Sequence, residues 1–113
     1  MSRAEVLADL VAFSKPAEIL DSLVRSLPWD AERPEITLTA DHVRNVLNRF
    51  RAGELVSADV EIWADLIELR EDIEPQADHE EAILHAIFVL ATPSINGALD
   101  DALAVELIGS LSA

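Results

Sequence analysis

Cysteine is absent from this chain, which removes disulfide frameworks and thiolate chemistry from consideration. Tyrosine is absent as well, and only three glycines occur. Glycine scarcity argues against turn-rich sheets and leaves no phosphate-cradling loop, GxSxG elbow or dinucleotide fingerprint. Basic residues are few: eight stand against 22 acidic ones, for a formal net charge of −14. A field of that sign repels nucleic acid and anionic membrane surfaces and attracts basic proteins. No apolar run is long. The longest, Ala82 to Ala91, has ten residues and contains His85, short of the roughly 18 that a membrane span needs. Glu5 and Asp9 interrupt the first apolar residues before a leader-like run develops. These absences read as a soluble cytoplasmic protein with no membrane partner.

Half of the residues are hydrophobic, mostly Ala, Leu, Val and Ile. That composition favours helix, and 113 residues suit one domain. The expectation is an all-α, compact bundle of five to six short helices, with a helical arm over 1–34 and a helical core over 35–113. Ser2 caps a first helix, Arg3 to Phe13, with Val6, Leu7, Leu10 and Val11 on its apolar face. Pro16 opens a second, running to Leu27, which buries Ile19, Leu20, Leu23 and Val24. Pro28 to Pro34 is a loop. Residues 35–39 form a short extended segment, which needs a partner, taken from elsewhere in the chain or from another subunit.

Thr39 caps the third helix, and Leu38 and Val43 have the spacing of a hydrophobic staple. Gly53 stops that helix. Arg44, Arg49 and Arg51 lie on its outer face, and their expected role is pairing with neighbouring carboxylates rather than contact with phosphate. The short link Gly53 to Ser57 predicts an antiparallel neighbour. Ser57 then caps a fourth helix, predicted to run to Ile73. Asp78 and Glu81 have capping-box spacing before a fifth helix, His79 to Ala91, apolar nearly all round. Asn96-Gly97 marks a turn, and a last helix spans about Asp100 to Leu111.

Candidate functional residues concentrate on the fourth helix. At about 100° per residue, Glu61, Asp65, Glu68 and Asp72 fall in one stripe. Val60, Trp63, Ala64 and Ile67 flank it on one side, and Ile62, Leu66, Leu69 and Ile73 on the other. From Glu54 to Glu81 there are eleven carboxylates and one base, Arg70, a local net of −10. The stripe, joined by Asp59, Glu71 and Glu74, is the candidate surface for a basic protein partner. A calcium site needs carboxylates wrapped by a loop, and a di-iron site needs Glu-x-x-His pairs; neither pattern occurs, and no cofactor is called for. Glu81 and His85 share a face, but no nucleophile accompanies them, so no enzyme activity is expected. Trp63 belongs to the core. Trp29 sits in the loop, as a plug for the arm or as a contact anchor. Two helices apolar on most sides also raise the alternative of a self-associating structural homodimer, with the arm exchanged across Pro28 to Pro34.

The stretch Gly53-Glu54-Leu55-Val56-Ser57-Ala58-Asp59-Val60-Glu61-Ile62-Trp63 resembles small acidic all-helical bacterial proteins in which G-E-[IL]-S-x-x-E leads into a helix, among them immunity proteins of the colicin D type. The likeness covers about a third of the chain. It implies a helical inhibitor that neutralises a basic toxin nuclease through an acidic surface. The helical arm through Pro34 departs from that pattern, and no toxin-contact residues are carried over.

Overall fold

Helices make up most of the computed structural model, which describes residues 2–28, 31–68 and 70–112. The order is α1 (Arg3–Ala12), α2 (Ala17–Arg25), β1 (Ile36–Leu38), α3 (Ala40–Arg51), α4 (Ser57–Glu68), β2 (Ile73–Pro75), a 3-10 turn (Ala77–His79), α5 (Glu80–Ala91), the single turn α6 (Pro93–Asn96) and α7 (Asp101–Ser112). The expected helical bundle is present, with one helix more than anticipated because α6 separates from α5 at Pro93. Among the described residues, no helix is long and apolar enough to cross a membrane. Trp29 and Leu69 lie outside the described residues.

Local signals set several boundaries. The Ser2 hydroxyl accepts from the Glu5 N–H and donates to its carboxylate, closing the first turn of α1. Phe13 ends α1 in the left-handed region, at φ +50°, where a bulky side chain is strained. The Phe13 ring stacks on Trp63 with centroids 6.1 Å apart, and the Arg49 guanidinium lies over the Phe13 ring, 5.4 Å from its centroid. Arg49 also donates to the Phe13 carbonyl at 2.8 Å. These contacts hold the strained residue. Gly53 ends α3 at φ +82°, as the glycine there suggested.

The extended segment finds its partner inside the chain, not on another subunit. β1 and β2 pair in parallel, Ile36 opposite Ile73 and Leu38 opposite Pro75. A parallel pair requires a long crossover, and here α3 and α4 supply it. This pairing also corrects the fourth helix. It ends at Glu68, not Ile73, because the Asp72 carbonyl accepts from the backbone N–H groups of Glu35 and Ile36 and Pro75 holds the preceding residue extended.

One core takes side chains from every helix except α6. Trp63 lies at its centre, wholly buried, and donates from Nε1 to the Leu10 carbonyl at 2.6 Å. The proposed arm is therefore part of the same core. α4 packs between α2 and α5. It runs opposite to α5, since Ser57 and Glu61 share a cavity wall with Val89 and Leu90, and Glu68 shares one with Ile83 and Leu84. α3 lies more closely against α7 than against α4.

Several burial expectations change. Ile19, Ile62, Leu84 and Phe88 are exposed rather than buried, because α2, α4 and α5 each keep one flank on solvent. Asp78 does not cap α5. It sits in the 3-10 turn, and the residue preceding α5 is His79, with no side-chain cap.

Candidate functional site

The acidic stripe divides at the end of α4. Glu61, Asp65 and Glu68 remain on one ridge of the helix, Asp65 and Glu68 exposed and Glu61 partly so. Asp72 leaves it. Its side chain is fully buried, and it accepts from Arg70 Nε and Nη2 at 2.8 Å each. Arg3 Nη1 lies 3.8 Å from the same carboxylate. Arg70 donates further to the carbonyls of Val24 and Pro28. A buried charge is tolerated when it is paired and hydrogen-bonded, and this bidentate fork meets that condition. Asp72 is thus a structural tie joining α1, α2 and the strand pair, and it does not belong to the exposed ridge.

The other expected partner-contact residues reach solvent. Asp59 is half-buried beside a cleft of about 610 Å³ formed with the α1–α2 corner. Glu71 is exposed and accepts weakly from the Ala31 N–H at 3.5 Å. Glu74 is exposed on β2, where Thr37 across the pair donates to it at 3.5 Å.

Cations are engaged elsewhere. Arg44 pairs with Asp41, Arg49 with Glu54 and Arg51 with Asp101. The arginines of α3 therefore do pair with carboxylates, though not with those on α4. Lys15 holds Asp9, and Arg25 holds Asp21. Among the described residues, no cation lies within ion-pair distance of Glu61, Asp65 or Glu68.

Comparison of the chain with protein-family models, with curated proteins and with solved structures gives no match. Among the described residues, no three carboxylate or imidazole groups are grouped as metal ligands would be. Glu81 and His85 are both exposed on α5.

Two features escaped the sequence reading. One is the Arg70–Asp72 tie, hidden because helical spacing alone put Asp72 in line with Glu68. The other is an apolar groove of about 220 Å³ beside Glu68, walled by Leu38, Ile67, Ile83 and Ile87. Leu84, assigned to the core from its composition, forms part of its rim.

Proposed function

We propose that this chain is a non-catalytic, cytoplasmic binding protein whose α4 ridge docks on a basic protein. The carrying observation is that Glu61, Asp65 and Glu68 share one face without a cation partner among the described residues, while the arginines and lysine that are paired neutralise other carboxylates. Surface charge arranged this way speeds association and makes it salt-dependent. The resemblance at Gly53 to Trp63 supports an immunity-type role, in which the acidic face covers the basic surface of a toxin nuclease.

The test is affinity capture from the source organism at low ionic strength, with native protein against the Glu61→Lys/Asp65→Lys/Glu68→Lys variant. Capture of a basic protein should fall by about tenfold or more, equivalent to roughly 1.4 kcal/mol. Equal capture by both proteins rejects the reading. A second reading, self-association, is favoured by one observation: Leu84 and Phe88 are exposed one turn apart on α5, at 52% and 45%.

A further inference from the structure

The groove beside α4 has a buried, aliphatic lining and an acidic border. Leu38, Ile67, Ile83 and Ile87 line it, and each is nearly inaccessible to solvent. Ile73 and Pro75 of β2 close one side, and Leu84 stands half exposed at the edge. At about 220 Å³ it falls below the roughly 300–1,000 Å³ of small-molecule sites. It suits a single large apolar side chain. Phe88 extends the apolar edge one turn further along α5.

The charge around it selects the occupant. Glu68 lines the groove. Asp65 precedes it on the same ridge. Glu71 and Glu74 are exposed on the segment leading to the 3-10 turn. Glu80 and Glu81, also exposed, precede Leu84 by four and three residues and so share its face. Arg70 borders the groove too, but its guanidinium is locked to Asp72 and only 5% of the side chain is accessible. It does not offset those carboxylates. A second copy would bring another net charge of −14 to the same place.

We infer that the groove receives one apolar side chain from a cationic amphipathic segment of the partner, with Lys or Arg residues on either side facing Glu68, Glu80 and Glu81. This rests on the docking reading above and adds to it an anchor, since a buried apolar residue ringed by polar contacts is how protein interfaces concentrate their affinity. An apolar helix face in a groove, framed by complementary charge, is an established recognition mode.

The probes are two fluorescein-labelled helical peptides of about 18 residues, five turns. One carries a leucine stripe among lysines. The other has the same lysines with glutamine in place of each leucine. Anisotropy at roughly 20 mM salt, where surface charge is weakly screened, should show the leucine peptide binding about tenfold tighter to the native protein. Leu84→Asp makes the rim more acidic and fouls the anchor site. Purely electrostatic attachment would strengthen in that variant. The inference requires the leucine peptide to lose its tenfold advantage while the glutamine peptide binds as before or better. Leu84→Gln gives the same comparison at unchanged charge if the aspartate variant fails to fold. Equal binding of the two peptides to the native protein overturns the groove while leaving the docking reading in place. Binding of neither peptide removes both. A dimer in sedimentation that Leu84→Asp dissociates overturns the inference in favour of a second copy.

Discussion

His42 has a role that protonation would abolish. Its Nδ1 accepts from the Thr39 N–H at 3.0 Å while the Thr39 hydroxyl accepts from the His42 N–H at 3.1 Å, a capping box at the start of α3. Burial pushes the His42 pKa below its ordinary 6.5, and the neighbouring Asp41 carboxylate offsets only part of that. The unfolded chain therefore takes up the proton first. Stability from this group is complete above about pH 6.5 and declines as pH falls through that value toward the folded-state pKa. Chemical denaturation from pH 7.5 down to 5.5 should show this decline. His42→Gln keeps a box acceptor without a titrating group, and it should flatten that part of the profile. Asp9 acts in a lower window. Hydrogen bonds from Ser14 and Lys15 hold its carboxyl below the usual 3.8, so its contribution is present above that pH and lost beneath it. The cap at Thr39 was readable from residue type and position. The histidine's part in it was not, because capping boxes ordinarily carry Glu or Gln at that site. Trp63 shows the same division. Its spacing with Val60 and Ile67 placed it in the core, but its bond to Leu10 depends on how α1 crosses α4, which periodicity does not encode.

Among the elements, β1 and β2 are the least self-sufficient. Two three-residue strands are marginal on their own, and their stability comes from what clamps them. Arg70 and Asp72 sit at one end of the pair. At the other, the Gln76 N–H donates to the Leu38 carbonyl and the Gln76 side chain accepts from Ala40. Asp72→Ala would leave the Arg70 guanidinium buried without its carboxylate. The expected loss is about 3–5 kcal/mol in urea unfolding. Arg70→Met combined with Asp72→Leu should recover much of it, since replacing a buried pair by apolar groups of similar size is often neutral. A loss under about 1 kcal/mol for Asp72→Ala, the scale of an exposed pair, would show that the tie is solvent-accessible. Helical periodicity located α1, α3 and α7 to within a residue or two at each end. It overran α4 because spacing rewards every fourth acid, whether or not the backbone continues to coil. The extended segment at 35–39 was recognisable. Its mate was not, because helical spacing carried the fourth helix through Ile73, the first residue of β2.

For the molecule as a whole, the dominant quantity is the uncompensated negative charge. With a net of −14 on 113 residues, the folded state carries mutual repulsion that counter-ions relieve. Raising sodium chloride from about 20 mM to about 500 mM, which shortens the screening length several-fold, should raise the thermal midpoint. The sedimentation mass should stay constant across that range. A midpoint that falls with salt would mean that the ion pairs of α2, α3 and α7 outweigh the repulsion. Composition alone revealed this charge balance and the helical class, since both are sums over residues. Placement of the groove was not legible, because it forms where the end of α4, α5 and both strands meet, and no single segment records that meeting.

The register of the strand pair has a consequence for biosynthesis. Ile36 waits 37 positions for Ile73, so a nascent chain emerging from the ribosome carries β1 with an unmatched edge while α3 and most of α4 are still being translated. Ribosome-stalled chains that expose residues only up to 60 should therefore remain protease-sensitive at Glu35 to Thr39, and chains that expose residues through 91 should become resistant there.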